Sequence, residues 1–521
     1  MIHNHERLLV KLVEQHHGLV PSLTAKLLLH HGSILMKRAL ALSPLKSVDF
    51  RRGLDALVHC NLARVSALSK RHSVVEIQTE RIVALLYYPY YLEVVKRRFD
   101  ITSVYLLRTL MLYGNLSLED LIERTLYFIV QSNELLKREM VEEQMKMFIE
   151  TLFDNFKKIV KQKIFVPKDR KMRCPEQCDA DAIFAMLKRR FERHPDGLPS
   201  DPTARCEDGQ WTFDCNVLNF LFFIEFFPII SQPCFDNEEA SFLVNLLLEM
   251  TFEKSYHMKK TSLTISEVYA RYRTKYPAVN ISKLANILRN FSYFLAPNFY
   301  QIEKSEVSLN FNLFLRDIVL VHIKEYVHKN FGEYAVRIFG ALLQEPCVFE
   351  NNLLMSLRMD SKELHRNMYQ LDLHRMINIT YYHDPTQSSA ISSRNMKKAF
   401  AVDLKEAVTY VRNRCYYALY THMHRRHITM DDQKELIARK QYIEDYKAQI
   451  IAETTDDPLQ QEAFIKSAHE HMSEYDHRKA EAMLKYSEKV DKVLYHTVNA
   501  VFLMNMWAAV DTANDYDDMD F

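Results

Sequence analysis

The chain's 8 cysteines and 22 histidines are the residues able to hold a metal, and their spacing argues against one. Cys174 and Cys178 form one close pair, but Cys206 and Cys215 are separated by eight residues. Structural zinc sites usually take their ligands as two close Cys pairs, so free thiols are the expectation here. His16-His17 and His30-His31 are adjacent pairs, so the two members of each point to different sides of a helix, and His469 and His471 also diverge. A zinc protease would need two histidines four apart with a Glu between them. No such pair, no phosphate-cradling glycine loop and no nucleophile–base set stands out, so no catalytic role, metal or cofactor is expected. What remains is phosphate contact by cations. The candidates are Lys46, Arg51, Arg52, Lys70 and Arg71 near the start, Lys283 and Arg289 in the middle, and Arg394, Lys397 and Lys398 further on. Such side chains reach phosphates without reading bases. The alternative for each is a solvated surface or a contact to an acidic partner subunit.

These cations sit on elements that repeat. After Asn330-Phe331-Gly332, where Gly supplies a left-handed helix exit, an apolar-periodic helix carries Val336, Ile338, Phe339, Leu342 and Leu343. A further helix follows from Ser361 to Leu371, then a β-type run from Met376 to Tyr382, a polar tip and a second run from Ala399 to Val402. Helix, helix, helix, strand, loop, strand is the order of a helix-turn-helix with an appended β-hairpin, the winged helix. Similar orders occur three times earlier. The first has Leu8 to Glu14, Leu23 to His30 with Ser22 as N-cap, the helix opening at Ser47, and a hairpin tipped by Lys70-Arg71-His72. The second has a helix from Tyr91 to Tyr113, another from Ser117, and a third from Lys137 to Lys161. The third has helices at Thr264 and Ser282 and strands at Phe299 to Ile302 and Val307 to Phe311.

The expected fold is therefore mainly α with small β-wings: four winged helices over 1–82, 83–167, 216–314 and 315–423. A proline-bearing, mobile linker is expected over 168–215, with one short helix near Ala182 to Phe191. An antiparallel coiled-coil hairpin is expected over 424–510, with Leu436, Ile443, Ile450, Val490 and Val493 as its seam and Pro458 in its turn. A disordered acidic tail is expected over 511–521.

Composition agrees with a helical, several-domain chain. The 521 residues are 48% hydrophobic and include only 8 glycines, which disfavours phosphate-loop and Rossmann folds. Net charge is +1, from 68 basic and 67 acidic residues, so any DNA contact is expected to be local or shared with a partner. No apolar run reaches the ~18–20 residues of a membrane span, and no signal peptide is visible. Scattered cysteines fit a reducing compartment.

Three segments in this order resemble one family. They are Leu86-Tyr87-Tyr88-Pro89-Tyr90-Tyr91, the stretch from Phe331-Gly332 to Gln344, and Arg412-Asn413-Arg414-Cys415-Tyr416 leading to His424-Arg425-Arg426. Together they look like the winged-helix subunit of the RNA polymerase III initiation heterotrimer, a relative of transcription factor IIE alpha. The resemblance covers nearly the whole chain. It implies a non-catalytic nuclear subunit that sits on the clamp of the largest polymerase subunit with two smaller heterotrimer subunits. It also implies contacts to the polymerase III initiation factor and to DNA, including melted promoter, in the synthesis of small untranslated RNAs. The linker here is shorter and less basic than in some relatives. A different class of role is a winged-helix scaffold of the proteasome-lid or signalosome type. Those scaffolds carry one winged helix after a helical-repeat solenoid, which four repeats from the N-terminus disfavour. The tyrosines from Tyr87 to Tyr91 are expected to pack a connection between the first two repeats rather than to stack on bases.

Overall fold

The computed structural model describes residues 2–69, 72–132, 142–168, 210–231, 238–256, 261–277, 279–294, 300–303, 306–345, 347–383, 396–453 and 472–517. It is mostly helical, with small antiparallel sheets. The chain divides into two units, Leu9–Asp317 with Ala509–Phe521, and Met1–Leu8 with Ile318–Ala508.

In the first-named unit, α1 (Ile2–His17) leads into α2 (Leu19–His31), β1 (Ile34–Leu35), α3 (Met36–Leu42), α4 (Ser47–His59), β2 (Ala63–Ser69) and β3 (His72–Ile77). The three strands pair in the order β1-β3-β2. Phe50, Leu54 and Leu57, one face of α4, are buried at helical spacing. Ser22 does not cap a helix: α2 begins at Leu19, and the Ser22 hydroxyl donates to the Leu19 carbonyl inside it. After α5 (Thr79–Ala84), the expected single helix from Tyr91 to Tyr113 is two, α6 (Tyr88–Arg98) and α7 (Ile101–Tyr113). The break is local chemistry. Asp100 caps α7 by accepting from Ser103 N–H at 3.0 Å, and Asn155 Nδ2 donates to its other oxygen at 2.9 Å.

The second repeat continues with α8 (Leu118–Ser132), α9 (Glu142–Lys161) and β4 (Phe165–Pro167). Its hairpin partner comes from the expected linker. Trp211–Phe213, here β5, pairs with β4 in the register Phe165↔Phe213 and bridges Leu116 on its other side. Trp211 and Phe213 are buried, and the Trp211 ring meets Phe156 edge-on at 5.0 Å. The second repeat therefore closes only beyond residue 210, because an aromatic pair two apart fits one face of a strand. The short helix expected near Ala182 to Phe191 lies outside the described residues.

The third repeat opens with α10 (Cys215–Ser231), whose nearly unbroken apolar run is covered on several sides. Next come α11 (Glu238–Ser255), β6 (Ser262–Thr264), α12 (Ile265–Lys275), α13 (Ile281–Phe294), β7 (Tyr300–Glu303) and β8 (Glu306–Leu309), with sheet order β6-β8-β7. Thr264 and Glu267 form a reciprocal capping box at the start of α12. The tyrosines from Tyr87 to Tyr91 are packed on protein. Tyr87 and Tyr91 are buried, the Tyr91 hydroxyl donates to Asn219, and Tyr90 lies 5.0 Å from the Phe222 ring.

The first two repeats meet through the exit of α4. Gly114 ends α7 at φ +77, with the His59 carbonyl against it. Asn115 donates to that carbonyl from its backbone N–H at 3.1 Å and from Nδ2 at 2.9 Å. Asn61, also at positive φ, exchanges amide hydrogen bonds with Asn115 and donates to Thr212 Oγ1 at 3.1 Å. Nearby histidines are held neutral. Burial and neighbouring His16 push His17 down to about 4, and burial, then Lys168 and Arg124, lowers His59. The unfolded chain therefore takes up these protons first, from about 6.5. The stability that the neutral His17 ring contributes is present above that value and is lost as pH falls from about 6.5 toward about 4, and neutral His59 adds to it with the same sign. Melting temperature should fall between about pH 7 and pH 5, and less so in His17→Gln. Equal pH dependence in the two proteins would remove His17 from this account.

In the other unit, α14 (Phe311–Phe331) ends at Gly332, φ +88, and the fourth repeat follows. It comprises α15 (Glu333–Gln344), β9 (Val348–Phe349), α16 (Glu350–Leu357), α17 (Ser361–Leu373), β10 (Asn378–His383) and β11 (Met396–Ala401), with sheet order β10-β11-β9. Three long helices complete the unit: α18 (Leu404–Asp432), α19 (Lys434–Glu453) and α20 (Glu474–Asp517). Their partners run in opposite order. Arg412 and Tyr416 meet Asn505, Arg426 meets Asp491 and Ser487, and Ile443 packs with Met472 and Ala480. This is antiparallel pairing, and it begins within α18, so the expected boundary at 423/424 falls inside a continuous helix. Ile443 and Val490 are buried and Leu436 packs beside Ile443. Val493, expected in the seam, is 46% exposed. The covered line on α20 runs through Ser487, Val490, Val498 and Val501, close to the 3.6-residue period, and Val493 lies beside it. The Ile450 side chain and Pro458 lie outside the described residues. The acidic segment expected to be disordered is helical as far as Asp517. By length and composition α20 could cross a membrane, contrary to the expectation that no segment is apolar enough to do so. Its apolar half is core instead, with Val501, Phe502, Leu503, Met504 and Trp507 buried.

Candidate nucleic-acid interface

Two helices of the first repeat carry exposed cations. On α4 the residues opposite the core are Val48, Arg51, Arg52 and Asp55, a stripe at helical spacing. Lys46 precedes the helix and is exposed, as are Lys37 and Arg38 on α3. Asp55 shares the stripe and offsets part of its charge. Lys70 and Arg71, which follow Ser69 and precede its cross-strand partner His72 in sequence, lie outside the described residues. Lys37 and Arg38 went unseen in the sequence because α3 did. Its cue is the short stretch between Gly32 and Pro44, where the strand of two residues hides the helix that follows.

The other candidates fall on equivalent elements. Lys283 is exposed near the start of α13, and the helix places Arg289 two turns on, its side chain undescribed. Lys397 and Lys398 lie on β11, opposite Tyr382 and Tyr381, with Lys398 exposed. Arg394 lies outside the described residues. The fold therefore brings Lys46, Arg51 and Arg52 together on one repeat and distributes the remaining cations over others. In the fourth repeat the outer stripe of α17 was missed altogether. Lys362, Arg366, Tyr369 and Leu373 recur at spacings of four, three and four, opposite buried Leu364, Met368 and Leu371. That alternation is legible in the sequence once both faces of the helix are counted. His365 Nε2 lies 2.8 Å from Glu350 Oε1 and ties α17 to the start of α16.

Cys174, Cys178 and Cys206 lie outside the described residues. Among the described residues no group of three or more His, Cys, Asp or Glu side chains is placed to hold a metal ion. Burial pushes the Cys60 thiol up to about 12 and the Cys215 and Cys415 thiols to about 11, which makes them poor nucleophiles. What this chemistry supports is sequence-independent attraction of phosphates at small patches. No family model matches the chain, and no curated protein matches it in sequence.

Proposed function

We propose that this chain is a non-catalytic subunit of DNA-directed RNA polymerase III, acting in promoter opening and initiation. It would consist of four winged helices followed by an antiparallel coiled-coil hairpin. One observation carries the reading. The order helix, short strand, helix, helix, two-stranded hairpin occurs three times with the last strand between the other two, and the second repeat follows the same order with the single bridge of Leu116 to Trp211 in place of the short strand. Winged helices bind nucleic acid or protein, and a nearly neutral chain with four of them is suited to holding several partners. The partners proposed are the polymerase clamp, two smaller subunits, the initiation factor and DNA, in the nucleus. Affinity purification with mass spectrometry tests it. Recovery of the polymerase III core is expected. Recovery of proteasome-lid or signalosome subunits without polymerase would overturn the proposal.

DNA binding by the isolated chain should be weak and nearly indifferent to sequence, since a net charge of +1 releases few counterions. Replacing Arg51 and Arg52 by Ala should reduce the slope of log affinity against log salt by about two. An unchanged slope would assign these two arginines to a protein partner.

A further inference from the structure

The outer stripe of α17 differs in kind from that of α4. Aligned on their buried residues, Val48, Arg52, Asp55 and His59 of α4 correspond to Lys362, Arg366, Tyr369 and Leu373 of α17. Where the first repeat places an acid, the fourth places Tyr369, 67% exposed, and one turn later Leu373 is 62% exposed. Both cations of the stripe are also exposed, and the exposed acids of the helix, Glu363 and Asp372, lie to either side of it rather than within it. The hairpin that follows repeats the chemistry: Tyr381 is 60% exposed, opposite exposed Lys398.

Exposed Tyr and Leu side by side with Arg match the residue types enriched at interfaces, with Lys362 suited to the polar rim around them. Phosphate contact would use the cations and the tyrosine but leaves Leu373 without a role. A protein segment uses all four. Its anchors cover Tyr369 and Leu373, and its acids meet Lys362 and Arg366. We propose that this stripe docks an acidic segment of a partner protein that carries apolar anchors. The inference concerns the fourth repeat alone and stands whichever assembly the whole chain joins.

Site-specific photo-crosslinking tests it. A benzoylphenylalanine is placed at Tyr369 of the full-length chain in cells, and the captured species is sequenced. The expected product is a protein segment of net negative charge with apolar residues at helical or alternate spacing. Its yield should fall about ten-fold in Lys362→Glu/Arg366→Glu, as expected when both charge partners are reversed. Because both positions are exposed, the double variant should retain the wild-type circular dichroism, and Tyr369→Ser compared in ordinary pull-downs gives a second variant without charge change. Capture of nucleic acid, of a second copy of this chain, or of a neutral or basic segment overturns the proposal. So does a protein product insensitive to the charge reversal, or no product above the level at an exposed control such as Val321.

Discussion

Gly114→Ala is expected to be among the most damaging single substitutions in the chain. A Cβ built at this position would fall 2.3 Å from the His59 carbonyl oxygen and 2.7 Å from its carbon. Both are backbone atoms, so no side chain can swing aside. The φ of +77 adds strain of its own. Unfavourable backbone geometry alone costs about 1–3 kcal/mol, and pushing α4's exit away also strains the hydrogen bonds that Asn61 and Asn115 exchange. A loss of about 3–5 kcal/mol is expected, a large part of the ~5–15 kcal/mol that stabilises a domain. Gly332→Ala is the matched control. Its φ is +88, but a Cβ there meets nothing within 4 Å, so only the backbone cost of about 1–3 kcal/mol applies. Urea unfolding of both variants, with amide exchange at 59–61 and 114–116, separates them. Equal midpoints for the two alanines would show that the contact with His59 is not tight.

Ile443→Asp should loosen the far end of the paired helices. Ile443 is 4% exposed and packs with Met472, Ala480 and Leu436. Removing the buried side chain forfeits about 1.5–3 kcal/mol, and the new carboxylate adds a desolvation cost unless it takes up a proton. Amide protection should be lost along Leu436–Lys447 and Met472–Leu484, while the unit of Leu9–Asp317 keeps its own. Val493→Asp, on the exposed side, should change stability by no more than about 0.5 kcal/mol. If Met472 to Leu484 keeps full protection in Ile443→Asp, α19 and α20 do not depend on each other.

Local signals made much of this architecture legible. Gly332 ends a helix, Thr264 with Glu267 opens one, and alternating runs around 63–77 and 378–401 form hairpins. Each rests on residues within a turn or two of one another. The errors were non-local or buried in local ambiguity. Trp211–Phe213 is too short to show a period, and its partner lies beyond a polar, proline-bearing stretch, so it read as linker. Asp100 sits between two helices that are nearly continuous in sequence, and its contacts to Ser103 and Asn155 mark the break. Val493 fits a heptad on paper, but the face of α20 that is covered drifts with the 3.6-residue helix. In the first repeat the individual cations were visible; that Lys37 and Arg38 join Lys46, Arg51 and Arg52 there depends on α3.

The pairing of β4 with Trp211–Phe213 also sets a timetable. On the ribosome the first repeat has all its strands once Ile77 has emerged, but the second has only one strand of its hairpin until residue 213 follows. At roughly 5–20 residues per second, that gap lasts roughly 2–10 s. During it Phe156 lacks the indole edge that it meets in the finished protein, and Phe165 lacks its cross-strand partner Phe213. The nascent chain thus passes through an interval in which a half-built repeat presents aromatic surface to solvent, and this is the stage at which a chaperone bound to the growing polypeptide would have most to shield.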